Sequence, residues 1–311
     1  MRTALTALTD ELKRLRTTGV KSVSVSDESL AALRRVVTAH SASGGRKPVA
    51  DRVTSATEPA STLAQTSPAP ASVRAPAVVR PAPEVRKLPP PPVVTVPPGD
   101  KASQWAWLRD QVLNHPICVA NVRLGKKIVL GVGSLDAKIM FVGEAPGAEE
   151  EVQGEPFVGP AGQLLTKMIG GMGLKRGDVY IGNIMNWRPQ MPTSAGVEQI
   201  GNRPPSTDEM AFCLPFLRAQ IEIVNPELIV ALGSTAAQGL LGADSFKTLG
   251  EIRGRWKQFA GKPVMVTYHP SYILRNASNR SKRMVWEDLL LVMERAGMPI
   301  SDKQRGYYLD K

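Results

Sequence analysis

The stretch Ala137-Lys138-Ile139-Met140-Phe141-Val142-Gly143-Glu144-Ala145-Pro146-Gly147 decides how this chain is read. An apolar run of strand length breaks into a turn built of glycine, proline and one carboxylate. Three more runs end in the same way. Val179-Tyr180-Ile181 leads to Asn183, Leu228 to Leu232 leads to Gly233-Ser234, and Val264 to Thr267 leads to Tyr268-His269-Pro270. In an open parallel sheet a ligand lies outside the carboxyl ends of the strands. One acid, one amide and one imidazole, each just past a strand, can therefore meet although they are far apart in sequence.

Between these runs lie helical patterns. Trp105, Leu108 and Val112 share a face over 105–113, and Leu164, Leu165, Met168 and Ile169 share one over 160–172. Ser206-Thr207-Asp208-Glu209 has the form of a capping box and opens a helix through Val224, stopped by Asn225-Pro226. Ser234 is read as the cap of another helix, and Val285, Leu289, Val292 and Ala296 mark a long one over 281–296. Strands alternating with helices predict a three-layer α/β/α domain around a mainly parallel four-stranded sheet.

Composition places that domain at 101–311. Residues 1–100 contain no Phe, Tyr or Trp, and 41–100 hold 13 of the 26 prolines. Too little large apolar surface is present there to offset ordering entropy, so 41–100 is read as a disordered linker. Residues 1–40 carry a three-four spacing at Leu5, Leu8, Leu12 and Leu15, and again at Leu30, Leu33 and Val37. They read as a short helical segment, a tethered hairpin or a docking helix for a protein partner. The net charge of +11 favours a polyanionic partner such as nucleic acid. No apolar run reaches the roughly 18 residues of a membrane span. No signal peptide is read behind Arg2, and two cysteines imply no disulfide framework. A cytoplasmic monomer, near the nucleoid if bacterial, is expected.

The strand ends carry the chemistry. Phe157 sits among Pro156, Gly159, Pro160 and Gly162, in a loop stiff enough to present its ring to a flat heterocycle. The amide of Asn183 offers a donor and an acceptor together, which suits a base edge with a carbonyl beside an N–H, or else satisfies a local turn. His269, fixed by Pro270, can donate to a developing anion or serve as a plain structural turn. Ser271, Tyr272 and Arg275 follow within reach of phosphates, and Ile273 and Leu274 are apolar where a wedge into a base stack would sit. A phosphate-cradling adaptor is the alternative for the glycine-rich turn, although neither a Gly-Lys-Ser/Thr nor a GxGxxG follows.

The order GEAPG, PFVGPAGQLL, a strand-terminal Asn, NRPPS before a capped helix, IVALG and YHPSYILR resembles the uracil-DNA glycosylase superfamily, over roughly 105–296 and most closely its family-four branch. The covalently trapping branch has Gln within its first motif and an Arg-Arg-Ile-His insertion; this chain has Ala145 and no such insertion. The resemblance implies hydrolysis of the N-glycosidic bond of uracil in DNA, by base flipping and water attack. It implies a uracil pocket of Gly143, Glu144, Ala145, Phe157, Asn183 and His269. Glu144 would position the water, Phe157 would stack on the base, Asn183 would bond its edge, and His269 would stabilise the charge on O2. DNA contacts are expected from Arg203, Arg253, Ser271, Tyr272 and Arg275, within a basic set that also holds Arg188, Arg255, Arg280, Lys282 and Arg283. A non-catalytic uracil- or DNA-binding module of the same fold is the alternative.

Family-four enzymes resemble one another in a four-iron four-sulfur cluster on four cysteines. The corresponding positions here are His115, Cys118, Trp187 and Cys213. Tryptophan cannot ligate iron, so no cluster, no other cofactor and no metal is expected. A zinc on His115, Cys118 and Cys213 would have only three ligands, a poor structural site.

Overall fold

The computed structural model describes residues 88–191, 193 and 198–309. The chain divides into two units, Met1–Ala77 and Val78–Lys311, and everything described belongs to the second. The helical pattern expected in 1–40, and the linker as far as residue 87, lie outside the described residues.

The sheet has six strands: β1 (Val132–Gly133), β2 (Ile139–Gly143), β3 (Tyr180–Asn183), β4 (Leu228–Leu232), β5 (Trp256–Phe259) and β6 (Lys262–Thr267). Their spatial order is β1-β3-β2-β4-β6-β5. The expectation of four strands is corrected here. The four expected strands form the parallel centre, and β1 and β5 add antiparallel edges. The edges escaped notice for a physical reason. β1 is two residues long, and β5 reads Trp-Lys-Gln-Phe with mostly half-exposed side chains. An edge strand need not be a continuous apolar run, whereas a central parallel strand, buried on both faces, must be.

Ten helices are described: α1 (Lys101–Leu113), α2 (Pro116–Ala120), α3 (Ala148–Gln153), α4 (Pro160–Gly171), α5 (Thr207–Val224), α6 (Ser234–Leu241), α7 (Leu249–Ile252), α8 (Pro270–Arg275), α9 (Asn279–Arg295) and α10 (Asp302–Arg305). The α5 box forms as its sequence dictates. Ser206 Oγ accepts from the Glu209 amide at 3.2 Å, and Glu209 Oε2 accepts from the Ser206 amide at 2.7 Å. Asn225, in the left-handed region at φ 51, ends it.

Period-two alternation along the strands divides the core. Met140 and Val142 of β2 face a cluster containing Leu108, Val112, Phe212 and Phe216 from α1 and α5. Ile139 and Phe141 face the other way, among Leu165 and Ile169 of α4 and Val285 and Leu289 of α9. The sheet is thus the middle layer of three. The end of the proline-rich stretch, 88–100, has no helix or strand, yet Leu88, Val94 and Val96 pack against the first cluster. No described helix is long and apolar enough to cross a membrane.

Phe141 is fully buried. Phe141→Ala should cost about 3–5 kcal/mol of unfolding free energy in urea titration, as buried Phe truncations do, and Phe141→Leu clearly less.

Candidate active site

Parallel register sets the strand ends level. Gly143 lies opposite Asn183, and Leu232 opposite Thr267. The chain runs from β2 outward to β3, then returns to the far side of β2 as β4. At such a reversal the loops diverge and leave a crevice. The cleft found there has a volume of about 640 Å³, and Glu144, Ala145, Phe157, Asn183 and His269 line it together. Arg203, Ser271, Tyr272 and Arg275 line it as well.

Gly143 is required by close approach. A Cβ there would meet Asn183 Oδ1 at 2.5 Å and collide with the Phe157 ring. Phe157 stands at φ 54, a left-handed conformation rarely taken by a bulky residue. Gly162 permits it, since a Cβ at 162 would overlap the Phe157 carbonyl. The constrained ring lies 5.6 Å from that of His269, tilted by 32°.

Each polar group has a defined electrostatic state. Asn183 is buried, and its Oδ1 has no hydrogen-bond partner. A buried acceptor left unpaired costs about 1–3 kcal/mol, and a ligand that donates to it would remove that cost. His269 Nδ1 accepts from the Ser271 amide at 3.1 Å, and Ser271 Oγ lies 2.8 Å from it. With Nδ1 occupied as an acceptor, the neutral ring carries its proton on Nε2. Burial pushes the imidazole down to about 4, and Arg275 adds to the shift while Glu150 opposes it. The Glu144 carboxyl is raised above its usual range by burial, against a hydrogen bond from Thr235.

Glu150 was missed by sequence reasoning. Its Oε2 accepts from the Gly147 amide, and its Oε1 from the amides of Val158 and Gly159, all at 3.0 Å. One carboxylate therefore ties the Glu144 turn to the Phe157 loop. The available signal was an acid three residues after Gly147, the spacing of a helix N-cap.

Several expected DNA contacts have other partners. Arg253 is not among the cleft residues; Asp288, at 2.8 and 3.2 Å, and the Met284 carbonyl hold its guanidinium. Arg203 borders the cleft but forks onto Glu209 with two 2.7 Å bonds. Arg188 is buried and paired with Glu151 at 2.7 Å. Residues 270–275 form α8 rather than a loop tip, and Ile273 is packed in the core. Of the two expected wedge residues only Leu274, 49% exposed, faces solvent.

At the four positions compared with cluster ligands, Cys118 and Cys213 are fully buried, and burial drives the Cys118 thiol up to about 12. His115 Nδ1 accepts from the Ile117 amide, and its ring packs edge-on against Phe212 and Phe216. Trp187, at the third position, is buried and tilted against Phe212. Two thiols, one imidazole and one indole do not match a four-cysteine set.

Residues 130–290 match the family model described as the uracil DNA glycosylase superfamily. A type-4 uracil-DNA glycosylase of Thermotoga maritima is 46% identical over 165 residues, covering 52% of this chain and 79% of that protein. A type-4 uracil-DNA glycosylase of Pyrobaculum aerophilum is 40% identical over 163 residues, 50% of this chain and 78% of its own. A type-5 uracil-DNA glycosylase of the same organism is 32% identical over 168 residues, 53% and 73%. The type-4 relatives overturn the expectation that no cofactor is carried, because type-4 enzymes are the group that holds an iron–sulfur cluster. The donor set of this chain, two cysteines, a histidine and a tryptophan, differs from a four-cysteine set.

Lowering of the His269 value means that the unfolded chain takes up this proton first. Its contribution is complete above about 6.5 and is lost as pH falls toward 4, by at most about 1.4 kcal/mol per pH unit. Asp288, whose carboxyl burial raises to about 6, acts in the opposite sense, so the slope should appear as the difference between wild type and His269→Asn in urea unfolding between pH 4 and 6.5.

Proposed function

Since the chain belongs to the uracil-DNA glycosylase superfamily and groups within it with the type-4 enzymes, we propose that the cleft at the strand ends is where it takes uracil out of DNA. The protein is a uracil-DNA glycosylase, a DNA-repair hydrolase that cuts the N-glycosidic bond and leaves an abasic site. The unpaired, buried Oδ1 of Asn183 carries the assignment of the cleft. Uracil offers an N3–H donor next to a carbonyl acceptor, the complement of a carboxamide.

Extruding the nucleotide costs a few kcal/mol, least where the base is mispaired or unpaired. Phe157, held at its strained backbone angle, stacks on the extruded ring. Asn183 then accepts from N3–H and donates to O4. As the bond to the sugar breaks, negative charge gathers on uracil O2, and the neutral His269 donates to it from Nε2. A neutral donor fixed before the reaction stabilises that charge without reorganising, the general logic of oxyanion stabilisation. Glu144 orients the water that attacks the sugar carbon, and its raised proton affinity strengthens it as a base. Gly143, which does not itself line the cleft, leaves room for the Phe157 ring and the Asn183 amide, and Ala145 leaves room for the base. Arg275, Ser271 and Tyr272 at the mouth are proposed to hold phosphates, and Arg203 can join them by giving up part of its fork on Glu209. Action as a monomer in the cytoplasm, with 1–40 docking a protein partner, completes the proposal.

Asn183→Ala should lower the single-turnover excision rate by about 10²–10³ with folding intact, and an unchanged rate refutes the base contact. Phe157→Ala should weaken capture of a uracil-containing strand by about 1–3 kcal/mol while leaving uracil-free DNA bound as before; equal losses on both refute stacking. Phosphate contacts predict that affinity falls steeply with salt, measurable by titration at several ionic strengths.

A further inference from the structure

The strand that leads to His269 ends on a buried charge. β6 finishes at Thr267, two residues before the imidazole, and Thr267 is fully buried. Its Oγ1 donates to Asp288 Oδ2 at 2.6 Å. Asp288 belongs to α9 and is buried as well. The same carboxylate accepts from Arg253 Nη2 at 2.8 Å on Oδ1 and from Arg253 Nε at 3.2 Å on Oδ2. Arg253 directly follows α7, so one side chain on α9 ties together two segments that are separate in sequence. Gly254, in the left-handed region at φ 68, lets them close. A Cβ there would meet Asp288 Oδ1 at 2.9 Å, and the Gly254 amide donates to the Val266 carbonyl at 3.0 Å.

The chain beyond Thr267 hangs from this anchor. The Thr267 carbonyl accepts from the Gly233 amide at 2.8 Å, and a Cβ at Gly233 would meet His269 Cβ at 3.0 Å. The Arg253 guanidinium lies 5.5 Å from the centre of the Tyr268 ring, which stacks on Tyr272 with centroids 4.3 Å apart. His269 is therefore flanked by Thr267, bonded to Asp288, and by Tyr268, backed by the arginine that Asp288 holds. Taking a carboxylate out of water is costly, and well-packed apolar side chains in place of a buried ion pair are often as stable. The geometry that this pair specifies accounts for it better than stability does.

We infer that Asp288 is a positioning residue for excision: through Thr267 and Arg253 it holds the end of β6 so that His269 Nε2 faces uracil O2. The inference rests on the proposed function and adds to it a residue that does not line the cleft. The hold requires the charged form, because a protonated carboxyl gives up acceptor capacity and its attraction to Arg253. Burial raises this carboxyl to about 6; Thr267 and Arg253 oppose the rise, and Glu287, its neighbour on α9, adds to it. Arg253 and Glu287 are the charged groups that act on it among the described residues. The positioning is thus present above about 6 and fades below it.

The test compares full-length wild type with Asp288→Asn, a neutral isostere of the protonated acid. Single-turnover excision of uracil from a single-stranded oligonucleotide is measured at saturating enzyme from pH 5 to pH 8, with circular dichroism at each pH to check folding. The ratio of the two rates cancels the titration of Glu144, which both proteins keep, and His269, held down to about 4, stays neutral throughout. That ratio should be roughly ten to a hundred at pH 8, the cost of a small misplacement at the reacting centre. It should fall toward unity by pH 5, with its midpoint near 6. Thr267→Val cuts the link and keeps the ion pair; it should lose rate to a similar extent while binding uracil-free DNA as wild type does. Thr267→Ser keeps the hydroxyl and should stay within about threefold of wild type. A ratio that does not change with pH, folded Asp288→Asn at the wild-type rate, Thr267→Val at the wild-type rate, or a rate loss matched by lost affinity for uracil-free DNA overturns the positioning role and leaves the enzyme assignment standing. Should Asp288→Asn fail to fold, the two Thr267 variants decide. Wild-type protein that releases no uracil refutes the proposed function itself.

Discussion

Parallel hydrogen bonding of β2 to β3 on one side and to β4 on the other is the constraint from which the rest follows. That pairing sets Gly143 level with Asn183 and brings the ends of β4 and β6 alongside. Side chains separated by more than a hundred residues thereby share one crevice. The same pairing makes each central strand apolar on both faces. Polar function is thus confined to the residues just past the strand ends, where backbone leaves the sheet.

One strained residue and one unpaired polar atom stand at that crevice. Phe157 holds a backbone angle that costs of order 1–3 kcal/mol, and Asn183 keeps a buried oxygen without a partner. Neither would persist without surrounding structure to enforce it. Gly143 and Gly162 make the approach possible, and the Glu150 carboxylate bridges the two loops involved. A site poised in this way meets its ligand with little rearrangement, which favours the charge-stabilising role given to His269.

The net charge of +11 overstates the cation available for DNA. Arg188, Arg253 and much of Arg203 are committed to Glu151, Asp288 and Glu209. These arginines shape loops, and fewer free ones face the cleft. A count of basic residues could not separate the two groups, because a buried partner acid such as Asp288 is distant in sequence and announces itself only by packing.

From the amino-acid order alone one can read the four central strands, the main helices, the capped start of α5, and the residues Glu144, Phe157, Asn183 and His269 as a set. Each rests on local pattern: apolar run length, spacing on a helix face, or a turn after a strand. Folding in three dimensions settled the remainder. It added β1 and β5, whose short or mixed sequences carry no periodic signal. It turned 270–275 into a helix that buries Ile273, left the Asn183 oxygen unpaired, and set Asp288 against Thr267 and Arg253. Burial, pairing and strain are properties of neighbours brought together by the chain's path, and no window of sequence contains those neighbours.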